Sequence, residues 1–338
     1  MSAMRIAYLL ETTELSGGVQ VALVQAEALA RRGHRVTVVS PDSPPSWFSL
    51  SRARFERSAF SDSAALAEAE IRVATFWTTV AAALSRASGP VFHLCQGYEG
   101  GFRFYADRRA EIEAAYRSPT RKLAVSATLA ARLDALGFGP AENVGQAFDP
   151  DGFRPGEPRD PEVPVILVTG PYDADVKGVD VALAGLALWR DRGGKFRLRR
   201  VATTPAAPAE KSSGLVDEYH RAVPPARMPW VYRSCDLFLG AFRAEEGFGL
   251  PTLEALASGL ACLLSETPGN LEIAGEDGAV FFSDGNAESL AGSLPRALSP
   301  ETRRLARSRG PAIAARFSPA GVAERLERAF ARAGAPVR

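Results

Sequence analysis

Cysteine is scarce in this sequence of 338 residues, and its distribution excludes two common classes of protein. Only Cys95, Cys235 and Cys262 occur, far apart and with no CxxC pair among them. An odd number of isolated cysteines supports neither a disulfide framework nor a zinc site. Free thiols are typical of a reducing compartment, so we expect a cytoplasmic protein without a structural metal.

Long apolar runs and an excess of charge of one sign are also absent. No stretch approaches the roughly 18 apolar residues of a membrane-spanning helix, so any membrane contact is expected to be peripheral. Near the N-terminus one arginine precedes a short apolar run ending at Glu11, which predicts a strand and not a signal peptide. Because 40 basic residues balance 39 acidic ones, the chain has no basic field for nucleic acid.

The sequence does contain a repeated alternation of short apolar runs with amphipathic segments. The run MRIAYLL, a helical pattern ending at Gly33 and the run RVTVVS follow one another, which predicts strand, helix and strand of a parallel sheet. A segment with five prolines, residues 148–164, interrupts the pattern, and VILVTG restarts it. We therefore expect two doubly wound α/β domains.

The domain boundaries follow from this pattern. The first domain is predicted to cover residues 1–148 and the second residues 149–316. A last helix is predicted at residues 317–338, since Ser318 and Pro319 are typical of the N-cap and the first helical position.

The stretch EEGFGLPTLEALASG, residues 245–259, joins a predicted strand to a predicted helix. Pro251 suits the start of the helix and Gly259 its end, so EEGFG is a loop at the carboxyl edge of the sheet, where open α/β sheets bind ligands. Glycines let a ligand approach the backbone, and a helix N-terminus attracts phosphate. Because two carboxylates would repel a phosphate, Glu246 and Glu254 are expected to accept hydrogen bonds from hydroxyl groups, as in a sugar nucleotide.

This stretch resembles the Glu-seven-residues-Glu motif of retaining GT-B glycosyltransferases, specifically glycosyltransferase family 4. The resemblance implies that Glu246 contacts the donor sugar and that Glu254 binds the ribose of the nucleotide. It also implies that four residues lie beside the sugar and the phosphates: Gly247, Phe248, Gly249 and Leu250. The implied fold is GT-B, in which two doubly wound, Rossmann-like domains face a cleft and the last helix crosses back to the first domain.

The segment LVTGPYDADVKGVD resembles the family's phosphate-binding segment at the end of the first strand of the second domain. Lys177 matches the lysine that holds the donor diphosphate, and it is one of only four lysines in the chain. The arginine that the family usually carries six positions earlier is replaced by Pro171. We expect Arg243, just ahead of the EEGFG loop, to supply the missing contact.

In the first domain, Gly17 and Gly18 match the glycine pair that lines the cleft near the donor phosphates and the acceptor, with a simple turn as the alternative. Gln96 stands where many members carry a histidine near the acceptor hydroxyl. Tyr98 and Glu99 are expected to contact the acceptor or the sugar. The chain lacks GxGxxG, which disfavours a dinucleotide-dependent oxidoreductase.

The stretch VDEYHRAV resembles the family segment whose loop receives the nucleobase. Tyr219, His220 and Arg221 are therefore expected near the base, although His220 is equally compatible with a place on the surface. His93, which lies within the predicted strand VFHLC, is expected to be a packed core residue.

The resemblance implies transfer of a hexose or deoxyhexose from a nucleoside diphosphate sugar to an acceptor hydroxyl, with retention of the anomeric configuration and without a metal or other cofactor. Glu246, Lys177 and Gln96 are the expected catalytic residues, and the departing phosphate helps to deprotonate the acceptor. The QGYE stretch at residues 96–99 is similar to bacterial rhamnosyltransferases of polysaccharide assembly. We therefore expect a role in polysaccharide or glycosylated natural-product biosynthesis.

Two alternatives stay open. A sugar phosphorylase or a sugar-phosphate synthase uses the same fold and would need phosphate or a phosphorylated acceptor. A nucleotide-sugar-binding protein without catalysis is the other alternative, and the proline at position 171 favours it.

Overall fold

Short apolar runs, continuous where a strand is buried on both faces, form the strands of two parallel sheets. In the computed structural model, which describes residues 3–85 and 87–334, Pro150–Arg316 form one compact unit, here called the second unit. The described residues on both sides of this segment form the first unit. Within the described residues, no helix is both long and apolar enough to cross a bilayer.

The first unit contains a seven-stranded parallel sheet with helices between its strands. Its strands are β1 Arg5–Leu9, β2 Arg35–Ser40, β3 Arg54–Arg57, β4 Ile71–Ala74, β5 Val91–Cys95, β6 Arg121–Ala124 and β7 Ala141–Asn143. The helices before residue 150 are α1 Gly17–Arg31, α2 Ala64–Glu68, α3 Val80–Leu84, α4 Arg109–Arg117 and α5 Ala127–Ala135. The strands lie side by side in the order β3-β2-β1-β4-β5-β6-β7.

The second unit contains a six-stranded parallel sheet. Its strands are β8 Val165–Thr169, β9 Arg197–Ala202, β10 Val216–Arg221, β11 Leu237–Gly240, β12 Ala261–Ser265 and β13 Val280–Phe282, in the order β10-β9-β8-β11-β12-β13. Its helices are α6 Val179–Asp191, α7 Pro208–Ser212, α8 Met228–Arg233, α9 Leu250–Ala257, α10 Pro268–Ala274, α11 Ala287–Ala297 and α12 Pro300–Ala315. Helix α13, Pro319–Gly334, follows and belongs to the first unit.

Both sheets reverse their strand order beside the first strand of the unit. In the first unit β1 lies between β2 and β4, and in the second unit β8 lies between β9 and β11. The chain leaves the two central strands in opposite directions, which opens a crevice outside their carboxyl ends. Lys177 follows β8 and Glu246 follows β11, so this topology brings both candidate residues to the crevice of the second unit.

Helix α13 packs against α1 and completes the core of the first unit. The ring of Phe330 lies edge-on to that of Phe92, with 4.8 Å between the centroids. The buried Glu327 accepts a hydrogen bond from Arg32 Nε at 2.7 Å and lies 3.0 Å from His34 Nε2. The hydrogen bond from Arg32 holds the pKa of Glu327 below its usual value despite burial. Residues 335–338 of the predicted helical segment lie outside the described residues.

The strands predicted from aliphatic runs are confirmed, whereas two half-exposed edge strands were not predicted. MRIAYLL and VILVTG form β1 and β8, and Gly33, with a φ of 96°, follows the end of α1. The stretch RFER forms β3, and the stretch VDEYHR, which resembles a segment with a nucleobase-binding loop, forms β10. Both are edge strands whose charged side chains, in RFER and VDEYHR, hide the strand pattern.

A buried ion pair holds the end of β8, directly before the segment that contains Lys177. Arg200 and Glu210 are 0% and 1% exposed, and Arg200 Nε donates to Glu210 Oε1 at 2.8 Å. The two terminal nitrogens of Arg200 donate to Val168 O at 2.6 Å and to Gly170 O at 2.7 Å. The Arg200 guanidinium therefore donates hydrogen bonds to two carbonyl groups at the carboxyl end of β8.

Removal of the acidic partner should destabilise the protein strongly, because it leaves the Arg200 charge buried and unpaired. We expect Glu210→Ala to lower the free energy of unfolding by about 3–5 kcal/mol. Glu288→Ala removes the exposed partner of Arg192 and should cost less than about 1 kcal/mol. Chemical denaturation followed by circular dichroism measures both, and equal losses would contradict the role given to the buried pair.

Candidate active site

A hydrogen-bonded ion pair joins the two loops at the carboxyl edge of the second sheet. Lys177 Nζ donates to Glu246 Oε1 at 2.7 Å. Lys177 ends a 3₁₀ turn, Asp175–Lys177, after β8, and Glu246 lies in the loop after β11. The two side chains keep 24% and 15% of their surface exposed, so a ligand at this edge can contact both.

A close approach between backbones fixes this pair. Gly178, directly after the lysine, has a φ of +58°, and a Cβ at this position would lie 1.8 Å from Ala241 O. Glycine is therefore required between the lysine and α6. Arg243 N donates to Val176 O at 2.9 Å, which joins the same two loops by a backbone hydrogen bond.

The glycine-rich segment after Glu246 leads directly into α9. It comprises Gly247, Phe248, Gly249 and Leu250, and α9 begins at the last of these. A Cβ at Gly249 would come within 3.1 Å of the ring of Phe242, over which the Lys177 ammonium lies at 5.4 Å from the centroid. The N-terminus of α9 and the lysine therefore open onto one edge, where both attract an anion.

Glu254 is held by a tyrosine that no sequence pattern indicated. The fully buried Tyr232, near the end of α8, donates from its hydroxyl to Glu254 Oε2 at 2.7 Å. Burial raises the pKa of Glu254 to about 7, although the hydrogen bond from Tyr232 acts in the opposite direction. Tyr232 lies in an apolar run before β11, which is typical of a core residue, so the sequence carried no signal for this contact.

Arg243, expected to replace the arginine missing at position 171, is engaged with a carboxylate of α6. Its Nη2 donates to Asp180 Oδ2 at 3.3 Å, and a Cβ at Gly285 would meet its Nη1 at 2.5 Å. Its backbone is nonetheless fastened beside Lys177 through Val176. A contact with a diphosphate stays a prediction and would require the side chain to leave Asp180.

In the first unit, the glycine pair and Gln96 come together. Ser16 caps α1, accepting a hydrogen bond from Val19 N at 3.2 Å, and Gly17 is the first helical residue. Gln96 follows β5 and donates from Nε2 to Gly18 O at 3.0 Å. The side chain of Gln96 thus ties the loop after β5 to the start of α1, at the carboxyl edge of the first sheet.

Tyr98 and Glu99, predicted to contact the acceptor, are only 6% and 7% exposed. The Tyr116 hydroxyl lies 2.6 Å from Glu99 Oε2 and 2.7 Å from Gly97 O. Burial raises the pKa of Glu99 to about 7. The ring of Tyr98 packs edge-on against Tyr116 at 5.3 Å between centroids. Both residues therefore support the loop from inside, and their contact with an acceptor stays a prediction.

His93 is the packed core residue that the sequence predicts. It is fully buried in β5, and its ring lies 4.8 Å from that of Tyr116. Neither of its ring nitrogens has a hydrogen-bond partner among the described residues. Burial lowers the pKa of His93 to about 3, so the imidazole is neutral at physiological pH.

The residues expected near a nucleobase lie on the edge strand β10, not on a loop. The strand runs parallel to β9, so Arg221, its last residue, lies at the carboxyl edge of the sheet. Tyr219 OH donates to Thr204 O at 2.9 Å, and His220 Nε2 lies 3.3 Å from Glu218 Oε2. His220 is partly exposed, and its proximity to a base stays a prediction.

The two cations of the candidate site are both paired with carboxylates of the second unit: Lys177 with Glu246 and Arg243 with Asp180. An anionic ligand must therefore compete with these carboxylates. Within residues 3–85 and 87–334, no group of three or more His, Cys, Asp or Glu side chains is arranged to hold a metal ion.

Comparison with solved structures confirms the class of fold. The chain is similar to Anabaena HepE in complex with UDP-glucose, with a TM-score of 0.75, 14% identity, and coverage of 97% of this chain and 100% of that one. It is also similar to sucrose-phosphate synthase from Thermosynechococcus elongatus, with a TM-score of 0.77, 15% identity, and coverage of 97% and 98%. The fold is therefore GT-B, with two Rossmann-like parallel sheets.

The sequence of the second unit is similar to one family of transferases. Residues 163–299 match the family model described as glycosyl transferases group 1, and this segment contains Lys177, Arg243, Glu246 and Glu254. Over this segment, about two fifths of the chain, the sequence is similar to the group 1 glycosyl transferases, as the sequence motifs indicated.

One curated relative is similar to about half of the chain. The phosphatidyl-myo-inositol mannosyltransferase of Propionibacterium freudenreichii subsp. shermanii is 30% identical over 165 residues, which cover 47% of this chain and 41% of the relative. The match thus spans about two fifths of the length of that mannosyltransferase.

Substitution of Glu254 should separate stability from binding. The folded-state pKa of about 7 exceeds the ordinary 4.5, so the stability due to this group is present below pH 4.5 and is lost as the pH rises through 7. We expect Glu254→Gln to raise the free energy of unfolding at pH 8 by about 1–3 kcal/mol, with a smaller gain at pH 5. The same variant should bind nucleoside diphosphate about tenfold more weakly.

The matched control is Glu276→Gln, an exposed glutamate of the same unit. Denaturation at both pH values and calorimetric titration with nucleotide measure the two effects. If Glu254→Gln behaves like the control in both experiments, burial of this carboxylate does not lower stability and Glu254 does not contact the ribose.

The role of Arg243 can be tested against that of its partner. If the arginine contacts the diphosphate, Arg243→Ala should weaken nucleoside diphosphate binding by about three- to tenfold. Asp180→Ala frees the guanidinium and should leave binding unchanged or tighten it. If calorimetric titration gives the wild-type affinity for Arg243→Ala, the arginine only pairs with Asp180.

Proposed function

We propose that this protein is a retaining glycosyltransferase that moves a hexose or deoxyhexose from a nucleoside diphosphate sugar to an acceptor hydroxyl. The observation that carries the proposal is the Lys177–Glu246 pair, which lies at the crevice of the second sheet inside the segment matching group 1 glycosyl transferases. Glu254, four residues into α9, lies beyond the glycine-rich loop of the same segment. The nucleoside diphosphate sugar is a co-substrate, and no cofactor is proposed.

Donor binding exchanges one ion pair for another. The diphosphate carries two negative charges and competes with Glu246 for the Lys177 ammonium. The N-terminus of α9 adds a favourable dipole at the same edge. Once released from the lysine, the Glu246 carboxylate is free to accept hydrogen bonds from hydroxyl groups of the donor sugar. Binding of the diphosphate at Lys177 therefore makes Glu246 available to the sugar.

The nucleoside would lie on the other side of the glycine-rich loop. Glu254, oriented by Tyr232, accepts hydrogen bonds from the ribose hydroxyls, which favours the ionised carboxylate. The base would then lie towards the carboxyl end of β10, near Tyr219, His220 and Arg221. Uracil is the base that the likeness to HepE, solved with UDP-glucose, favours.

The reaction breaks the bond between the anomeric carbon and the diphosphate oxygen and forms a bond from that carbon to the acceptor oxygen. Negative charge develops on the departing diphosphate, where Lys177 stabilises it electrostatically. The acceptor proton passes to an oxygen of the departing phosphate, on the same face of the sugar, so no carboxylate needs to act as base. Gln96 would act by holding the Gly18 carbonyl and the start of α1 beside the acceptor.

The substrate class is inferred from the same segment. The relative's name, a mannosyltransferase acting on phosphatidyl-myo-inositol, supports a hexose donor and an acceptor rich in hydroxyl groups. We infer a role in polysaccharide or glycosylated natural-product biosynthesis in the cytoplasm, with no nucleic-acid partner and with any membrane contact peripheral. A nucleotide-sugar-binding protein without catalysis is the second candidate, because Pro171 replaces a diphosphate-binding arginine of the family.

Turnover of a donor panel tests the proposal. UDP-, GDP-, dTDP- and ADP-sugars are offered with mixed hydroxyl acceptors, and release of nucleoside diphosphate and the anomeric configuration of the product are followed by NMR. We expect Lys177→Ala and Glu246→Ala to lower turnover by about 10²–10³. Lys195→Ala, at an exposed lysine of the same unit, should change turnover by less than about twofold.

Each of the other outcomes of this experiment would support a different conclusion. Binding of a nucleotide without turnover of any donor would support the binding protein. Turnover that requires inorganic phosphate would support a phosphorylase, and a product of inverted configuration would exclude the retaining mechanism.

A further inference from the structure

A second concave site lies in the second unit, at the amino edge of its sheet. It is a cavity of about 330 Å³ that is lined by residues of 156–160, 232–236 and 258–261 and by the first turns of α12. Strands β8, β11 and β12 begin beside these segments, whereas Lys177 and Glu246 follow the carboxyl ends of β8 and β11. We call this site the arginine cavity, because five arginines line it: Arg159, Arg233, Arg303, Arg304 and Arg307.

The lining of the arginine cavity carries more positive than negative charge. Its carboxylates are Glu157, Asp160 and Asp236, two fewer than its arginines. Asp236 lies 3.6 Å from Arg159 Nε and also accepts a backbone hydrogen bond from Val165, and Asp160 pairs with Arg303. Two of the three carboxylates are thus paired within the lining, and the arginine cavity keeps a positive potential.

Several polar groups of the arginine cavity lack a partner. Among the described residues, the guanidinium groups of Arg304 and Arg307 form no ion pair or hydrogen bond. In the wall, the hydroxyl of Ser258, a residue that is 5% exposed, and Nε of Arg303 are buried without a hydrogen-bond partner. Most buried polar groups in proteins are satisfied, so the two buried atoms are unusual, and the unpaired guanidinium groups of Arg304 and Arg307 are available to an acceptor.

We propose that the arginine cavity binds a small phosphorylated molecule. A phosphate monoester is close to a dianion near neutral pH and therefore matches the surplus of two positive charges. It offers acceptor oxygens to guanidinium groups, which bind phosphate through paired, charge-assisted hydrogen bonds. The volume lies within the roughly 300–1,000 Å³ of small-molecule pockets.

The rim of the arginine cavity favours a free molecule over a lipid surface. Asp160 keeps 79% of its side chain exposed, and Glu157 is also exposed. An anionic membrane would bring many negative charges against both carboxylates, whereas a compact phosphate needs to contact only the unpaired arginines. The proposal does not rest on the glycosyltransferase function, because the site is separate from Lys177.

The experiment is calorimetric titration of the full chain carrying Lys177→Ala, which weakens phosphate binding at the candidate active site. The probes are glycerol 3-phosphate and inorganic phosphate, with glycerol as the uncharged control. We expect one molecule of glycerol 3-phosphate per chain with a dissociation constant of roughly 0.1–1 mM. Adding Arg304→Gln and Arg307→Gln should weaken binding by about tenfold or more, and Arg304→Lys with Arg307→Lys by less.

The matched control adds Arg309→Gln and Arg328→Gln, which remove two exposed arginines outside the arginine cavity. These changes should leave the affinity within about twofold, and thermal melting of every variant checks that it is folded. Equal loss in the control, absence of saturation at about 10 mM probe, or binding that disappears with Lys177→Ala alone would overturn the proposal. So would flotation with phosphatidylglycerol vesicles that depends on Arg304 and Arg307 while glycerol 3-phosphate fails to bind.

Discussion

The candidate active site depends on one ion pair between residues that are far apart in sequence. Lys177 and Glu246 belong to the two loops that leave the central strands of the second sheet, and their side chains meet at 2.7 Å. The contact exists because Gly178 lets these loops approach more closely than any side chain would allow. Without a ligand the two charges neutralise each other, so an anionic ligand would have to replace Glu246 at the lysine.

At Glu254, the stability of the fold and the proposed binding of ribose favour different side chains. A carboxylate held by a buried tyrosine is costly to ionise, and burial raises its pKa to about 7. The proposed contact with ribose would give this costly carboxylate a function. Tyr232 also lines the arginine cavity, and one buried ring therefore borders both candidate sites of the second unit.

The sequence was sufficient for the features that depend on local pattern and on sheet topology. Aliphatic runs predicted β1 and β8, and the rule that open α/β sheets bind ligands at their carboxyl edge placed the EEGFG loop at that edge, whereas Lys177 was indicated by the resemblance. Edge strands such as β10 were not predicted, because their exposed, charged side chains do not show a strand pattern. The Tyr232 contact and the pairing of Arg243 with Asp180 could not be predicted, since both arise from packing between segments that are distant in sequence.

The place of α13 in the first unit has a consequence for biosynthesis. Phe148 N, at the end of the first segment of this unit, donates to Phe317 O, at the start of the returning segment, at 2.9 Å. The ring of Phe330 then covers Phe92 of β5. The chain is synthesised from its N-terminus, and the second unit is one contiguous stretch of it. This unit can therefore fold as soon as it has emerged from the ribosome. The sheet of the first unit is synthesised earlier, but its core is complete only when α13 has been made and has packed against α1.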